Sequence, residues 1–341
     1  MTIKEIAKLA SVSTATVSRV VNGAPGVRME IRARIEKVIL QTNYWPNLMA
    51  RGLVKKKTNI FGLMMPRFDG YYSKRVEAIL NVCSRHKYGV MISSGLENYE
   101  EELENLNLLA KQRVEGIIYS AGQISQRQKD LIAQISERIP MVLLDQSSDE
   151  LNIPCILQDN YSGAQKAMRF IMACGHSRIA FIAPPRNDGE AEKRTMAYFD
   201  TMRETNHGIP DAYVQRGDYS IQSGCREMEK ILLQSKEPPT AVFAANDNMA
   251  IGAINCLASR GLRVPQDMSV MGFDDISMAE HFIPALTTVQ QDQVAMGIQA
   301  VELIIEYKKF KKVRLKKIIL EPELVIRESV MKIGAMGGMG R

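Results

Sequence analysis

The apolar positions of this chain follow one spacing up to about residue 46 and another from residue 60 onward. Ile6, Ala7, Leu9 and Ala10 fall on one side of a helix. Thr2, three residues before Glu5, makes the pattern in which each side chain satisfies an orphan backbone donor, so a helix starts at Ile3. Ser11-Val12-Ser13 then makes a turn, and Ser13 caps a second helix from Thr14 in which Val17, Val20 and Val21 stand at i, i+3 and i+4. That leaves Thr14, Ala15, Ser18 and Arg19 on the exposed side, and Asn22-Gly23 ends the helix. A third helix carries Ile31, Ile35, Val38 and Ile39 inward. Three such helices close one small core, and the first two form a helix-turn-helix.

From Ile60 the pattern changes to apolar runs of strand length alternating with amphipathic helices. Strands are expected at Ile60 to Met65, Val90 to Ser94, Gly116 to Ser120, Met141 to Leu144, Ile179 to Ala183, Ala241 to Ala245 and Ser269 to Gly272. Helices are expected between them, at Tyr72 to Lys87, Tyr161 to Cys174, Ser220 to Gln234 and Met249 to Arg260. Alternation of this kind implies parallel, doubly wound sheets with ligands at the carboxyl ends of the strands. The expected class is therefore α/β with an all-α head. Asn47 to Lys55 is too short to hold a helix unsupported, because isolated helices below roughly 12 residues are marginal in water.

Composition narrows the class. No apolar run approaches the roughly 20 residues that cross a bilayer, and the N-terminus lacks the charged and apolar regions of a secretory signal. The five cysteines form no CxxC pair and have no neighbouring His at metal spacing, which points to reduced thiols, a cytoplasmic protein and no metal. Charge is unevenly placed: residues 1–59 hold eleven Lys and Arg against three Glu, an excess larger than the +6 of the whole chain. A basic segment on a slightly acidic body fits a phosphate-backbone binder and fits a merely solvated face equally well.

The residues themselves decide between those readings. Thr2-Ile3-Lys4-Glu5-Ile6-Ala7 and Val12-Ser13-Thr14-Ala15-Thr16-Val17-Ser18-Arg19-Val20-Val21-Asn22-Gly23 closely resemble the LacI-family signature, and Tyr44-Trp45-Pro46-Asn47-Leu48-Met49-Ala50-Arg51-Gly52-Leu53 resembles the same family's hinge. The likeness continues through Gly175-His176-Ser177-Arg178, Ala245-Asn246-Asp247-Asn248, Gly272-Phe273-Asp274-Asp275 and Leu324-Val325-Ile326-Arg327, covering all but the Gly-rich tail. It implies a homodimeric, sugar-responsive repressor that binds palindromic operator DNA. Its domains are then a head over 1–46, a hinge over 47–59, an effector-binding and dimerisation domain over 60–329, and a loose tail over 330–341. The two lobes of that domain would comprise about 60–159 with 287–319, and about 160–286 with 320–329, resembling periplasmic sugar-binding proteins.

The resemblance also assigns sites. Thr14, Ala15 and Arg19 would meet base edges, while Ser13, Thr16, Ser18 and Asn22 would meet phosphates; Arg19 can bond guanine in bidentate fashion and Ala15 can touch a thymine methyl. Asn47, Ala50 and Leu53 would enter the minor groove, with Leu53 as a wedge. Asp145, Arg194, Tyr219, Asn246, Asp274 and Gln291, with Tyr71, Tyr72 and Arg75 from the first lobe, would line the interlobe cleft. Carboxylate, amide and guanidinium groups suit a polyol or a sugar phosphate, and Tyr219 offers a face for C–H surface. Asp274, Arg194 and Asn246 are read as ligand groups ahead of local braces.

Three rivals remain at this point. A transport receptor fits the body but not the head. A catabolite-control regulator whose co-effector is a phosphocarrier protein would carry the same head. An enzyme would need a nucleophile, metal or phosphate motif, and GxxxxGK[ST], GxSxG and HExxH are all missing; no cofactor is expected.

Overall fold

Helix α1 (Ile3–Leu9) begins where the capping pattern places it: Glu5 N–H donates to Thr2 Oγ1 while Thr2 N–H donates to Glu5 Oε2 at 2.7 Å. Helix α2 (Thr14–Val21) follows Ser13, whose hydroxyl oxygen accepts from Thr16 N–H at 3.1 Å, and α3 (Met29–Gln41) closes the head. Ile6, Ala7, Ala10, Val17, Val20 and Ile35 form its core. Replacing Thr2 with Ala is expected to cost the head about 0.5–2 kcal/mol. Faster hydrogen exchange of the α1 amides checks this, and unchanged exchange would show that the cap contributes nothing.

The computed structural model describes residues 1–44, 57–66, 70–95, 98–120, 124–147, 150–186, 188–204, 208–310 and 316–334. The hinge residues Asn47, Ala50 and Leu53 lie outside them. Residues 1–59 and 60–341 form two compact units.

The second unit holds two parallel sheets. The first contains β1 (Ile60–Met65), β2 (Gly89–Ser94), β3 (Ile117–Ser120), β4 (Met141–Leu144), β5 (Cys155–Gln158) and β11 (Lys317–Leu320), in the order β11-β5-β4-β3-β1-β2. Side chains of these strands alternate between two cores. Phe61, Leu63, Met65, Ile118 and Val142 face α4 (Gly70–Arg85) and α12 (Gln293–Phe310), whereas Met64, Ile117, Tyr119 and Leu143 face α5 (Tyr99–Lys111) and α6 (Gln126–Ser136). The second sheet runs β7-β6-β8-β9, from β6 (Ile179–Ala183), β7 (Val214–Arg216), β8 (Ala241–Ala244) and β9 (Ser269–Met271). Around it lie α7 (Asn160–Ala173), α8 (Glu192–Glu204), α9 (Ile221–Gln234), α10 (Asp247–Ser259) and the short α11 (Ser277–His281).

The chain passes between the lobes three times: from β5 into α7, from β10 (Thr288–Gln290) into α12, and from β11 into β12 (Glu323–Val325). The second passage falls later than the sequence suggests. Gly272 N–H donates to Thr287 O, Asp274 N–H donates to Val289 O, and β10 pairs antiparallel with β12. Residues 287–290 are thereby tied to the second lobe rather than the first, and the crossing is at Gln290 to Gln293.

In both sheets the strand order reverses beside the first strand, between β1 and β3 and between β6 and β8. A crevice opens at the carboxyl ends of the strands at such a reversal, because the helices on either side leave to opposite faces. The two reversals therefore position one site between the lobes.

Candidate functional site

On the head, the turn and the spacing of α2 sort its residues by exposure. Val17 and Val20 are buried, Thr14, Ala15 and Arg19 are exposed, and Thr16 and Ser18 are half-buried. The expected base-reading trio thus shares one open face. Ser13 and Asn22 have local duties as well: Ser13 caps α2, and Asn22 Nδ2 donates to Ser18 O at 2.5 Å and to Ser18 Oγ at 3.1 Å. Asn22 consequently spends its donor inside the helix end rather than holding it free for phosphate.

Between the lobes, side chains from the ends of both sheets join in one chain of hydrogen bonds. Arg75, on the first turns of α4, is wholly buried; its Nη2 donates to Asp145 Oδ2, its Nη1 to Ser120 Oγ and its Nε to Gln293 Oε1, each at 2.7 Å. Gln293 Nε2 reaches Gln291 Oε1 at 3.4 Å, which also accepts from the Tyr71 hydroxyl at 2.8 Å. Gln291 Nε2 donates to Asp274 Oδ1 at 3.0 Å, and Arg194 Nη1 lies 3.5 Å from the same oxygen. Arg194 Nε then ends the chain on Asn160 Oδ1 at 2.9 Å, while its Nη1 also bonds Ala245 O. Arg194 stacks 3.9 Å above Phe273, and Arg75 sits 5.2 Å from the centre of the Tyr72 ring.

Burial makes these charges matter. Desolvation opposes the charge of Arg75, but Asp145, Tyr71 and Tyr72 outweigh it and leave its pKa raised. Burial, with Asp145 second, also lifts the Tyr71 hydroxyl well above its ordinary value, so Tyr71 remains a neutral donor to Gln291. The backbone is unusual at the same place: Asp145, Tyr219, Asp274 and Asp275 have φ of +58°, +69°, +117° and +56°. Non-glycine residues persist there only where the surroundings hold them, and such residues collect at ligand sites.

Seven of the nine expected cleft residues are therefore joined directly to this network or stacked on it: Tyr71, Tyr72, Arg75, Asp145, Arg194, Asp274 and Gln291. Tyr219 and Asn246 stand one step aside. The Tyr219 hydroxyl donates to Asp188 Oδ2 at 2.6 Å, and Asn246 Nδ2 donates to Tyr219 O at 3.2 Å. Asn246 Oδ1 meanwhile accepts from Met249 N–H as the cap of α10. Asn246 therefore braces the loop and the helix from both ends of its amide, using one of its two N–H donors and one of the two lone pairs of its oxygen. Asn160, Gln293, Ser120 and Asp188 belong to the site and were missed. Gln293 sits two residues from Gln291 and Asn160 begins the helix after the first crossing, so a signal for each lay in the chain.

A second set braces the crossing. Asp275 takes Arg327 Nη2 at 2.7 Å and Gln290 Nε2 at 3.0 Å, and Lys74 Nζ from the first lobe donates to Asp275 O at 3.1 Å. Asp247 is fully buried, accepts from Thr288 Oγ1 and Ile276 N–H, and is pushed up to about 7 chiefly by desolvation. All five cysteines are free, no group of metal-ligating residues occurs among the described residues, and no described helix is long and apolar enough to cross a membrane.

A recognition helix on one unit and a polar interlobe cleft on the other define a ligand-responsive DNA-binding regulator. Comparison with known proteins gives the family. Residues 2–47 match the model of bacterial regulatory proteins of the lacI family, and residues 169–330 match the periplasmic binding protein-like domain. The chain is 34% identical over 330 residues to the HTH-type transcriptional repressor PurR of Histophilus somni, spanning 96% of this chain and 98% of that protein. It is 31% identical to the ribose operon repressor of Haemophilus influenzae, over 97% of this chain and 99% of that one. Among solved structures, the lac repressor dimer bound to operator and the anti-inducer ONPF matches with a TM-score of 0.85 and 28% identity, covering 97% of this chain and 99% of that one. The chain belongs to the lacI family of bacterial regulatory proteins and is a DNA-binding transcriptional regulator.

Proposed function

We propose that the protein is a cytoplasmic homodimeric repressor of a carbohydrate-utilisation operon, whose hold on palindromic operator DNA is set by a small sugar or sugar phosphate bound between the lobes. The carrying observation is the hydrogen-bond chain from Arg75 to Arg194, which crosses from one lobe to the other through Gln291 and Asp274. A ligand that inserts into it must change how the lobes meet, and that is the differential contact allostery requires. The coupling is of the usual size, about 1–3 kcal/mol per effector, and operator binding alters ligand affinity by the same factor. The exposed face of Thr14, Ala15 and Arg19 supports base reading; Ser13, Thr16 and Ser18 would lie near the DNA backbone, and Asn22 would act there by holding the end of the recognition helix through Ser18. Residues 47–59, including Asn47, Ala50 and Leu53, would act as the hinge that two subunits pair over the minor groove.

Selection of genomic fragments by the purified protein, repeated with a panel of sugars and sugar phosphates, tests this reading. Enrichment of a two-fold symmetric sequence, shifted by at least one member of the panel, is expected; no preference over bulk duplex under any condition would end it. Within the same assay, Arg19→Ala should relax selection at one base pair per half-site, worth about 1–3 kcal/mol. Unaltered selectivity across a randomised operator would remove Arg19 from base reading.

A further inference from the structure

We propose that Cys225 and Cys256 form a reversible oxidative modification site, in which hydrogen peroxide joins the two thiols as a disulfide that clamps α9 to α10. The pairing follows from how these helices meet, and the order of events from what surrounds each thiol.

Helices α9 and α10 run side by side in the same direction with a constant offset. A Cβ on Gly252 would lie 2.0 Å from Ile221 O and 2.8 Å from Cys225 N, so here the helices touch backbone to backbone. Two turns further along both, Arg260 Nη2 pairs with Glu229 Oε1. Both contacts join residues 31 positions apart, 221 with 252 and 229 with 260. Midway between them the same offset sets Cys225 against Cys256, and there the Cys225 side chain is hydrogen-bonded to that of Cys256. A bridge needs Cα atoms within about 7 Å and converging side chains; two thiols meeting across a close helix contact have that arrangement. Cys83, Cys155 and Cys174 are buried in α4, in β5 and at the end of α7.

Exposure assigns the first step. Cys225 is half-buried and Cys256 fully buried, so peroxide meets Cys225. The Cys225 thiolate attacks one peroxide oxygen, the O–O bond breaks, hydroxide leaves, and Cys225 becomes a sulfenic acid. Burial pushes the Cys256 thiol up to about 11, which keeps it protonated and inert toward peroxide itself. Arg260 Nη1 donates to Cys256 Sγ at 3.2 Å and supports its negative charge as the proton departs. Cys256 sulfur then attacks Cys225 sulfur: the S–S bond forms, the S–O bond breaks, and hydroxide leaves with the Cys256 proton as water. Altogether two thiols lose two electrons and two protons, and one peroxide becomes two waters. Thiol reductants reverse the bond, the behaviour of a transient, sensing disulfide. Its place gives it a route to the cleft: Ser220, the cap of α9, directly follows Tyr219, and Asn246, the cap of α10, holds Tyr219 O.

The reduced full chain, treated with hydrogen peroxide, denatured and alkylated, tests the proposal by mass spectrometry. Two of its five thiols should be lost at least tenfold faster than the other three, and dithiothreitol should restore them. Digestion should yield one linked peptide pair carrying Cys225 and Cys256. Cys256→Ala should form no bond and instead leave Cys225 as a sulfenic acid that dimedone labels. Cys225→Ser should keep Cys256 reduced. Persistence of all five thiols in the parent chain, loss of all five at one rate, a linked pair of any other composition, or a bond between two chains would each overturn the proposal. The parent's peptide map decides this even if either variant folds poorly.

Discussion

Asp274→Ala should leave operator binding without ligand within about twofold of the parent while abolishing the response to sugar. Asp274 belongs to the unit 60–341 and the base-reading residues to the unit 1–59, so its loss removes no group from the DNA-reading face. Inside the cleft its loss is large. Asp274 Oδ1 receives Gln291 Nε2 at 3.0 Å and is the carboxylate nearest Arg194, whose side chain is 7% exposed. Truncating one member of a buried charged pair costs about 2–5 kcal/mol in binding, or at least roughly thirtyfold in ligand affinity. The same change leaves the Arg194 guanidinium without its carboxylate, so part of the roughly 3–5 kcal/mol typical of an orphaned buried charge should appear as lost stability. Arg194 keeps Asn160 Oδ1 and Ala245 O, which limits that loss. Asp274→Asn separates the two effects: it retains an acceptor for Gln291, and asparagine tolerates a positive φ better than alanine does, so it should fold normally and still respond poorly. Fluorescence anisotropy of labelled operator, with and without sugar, reads both variants. A full response from Asp274→Ala would mean that the ligand binds elsewhere.

Much of this arrangement was legible because periodicity is local. The strands Ile60–Met65, Met141–Leu144 and Ile179–Ala183 stand where four to six consecutive apolar residues announced them, and α9 ends at the expected Gln234. The strands that escaped notice are short or weakly apolar: β5, β7, β10, β11 and β12 have three or four residues each, and partners fix their geometry rather than their own pattern. Lys317 to Leu320 becomes a strand because it lies beside Cys155–Gln158, some 160 residues earlier in the chain, and no window of sequence contains that information. The site divides in the same way. Asp274, Arg194 and Arg75 could be nominated from a family resemblance, since each stands in a recognisable stretch. Their pairings could not, because Arg75 finds Gln293 across 218 positions and Tyr71 finds Gln291 across 220. Asn246 shows the same limit: its residue type suggests a polar contact, but its bonds to Tyr219 O and Met249 N–H appear only in the folded chain.

The largest effect on stability is expected from Gly252→Ala, at a position where residue type suggests the opposite. Alanine in a helix interior is favoured over glycine by about 1 kcal/mol, and Gly252 lies within α10 with an ordinary negative φ. Space decides against it. A Cβ built on Gly252 would lie 2.0 Å from Ile221 O and 2.8 Å from Cys225 N, and one built on Gly224 in α9 would lie 2.2 Å from Met249 O. The two helices meet glycine to glycine, backbone against backbone, so no flexible side chain can swing aside. Overpacking a core commonly costs about 1–3 kcal/mol, and rigid backbone contacts fall at or beyond the upper end. A net loss of about 3 kcal/mol lowers the melting temperature of a domain this large by roughly 6–12 °C. Gly189→Ala is the matched control, because nothing lies within 4 Å of its added Cβ; it should stay within about 0.5 kcal/mol of the parent. Urea unfolding of the full chain measures both. Equal midpoints for the two variants would mean that α9 and α10 can move apart at little cost, and that the glycine contact is not what sets their separation.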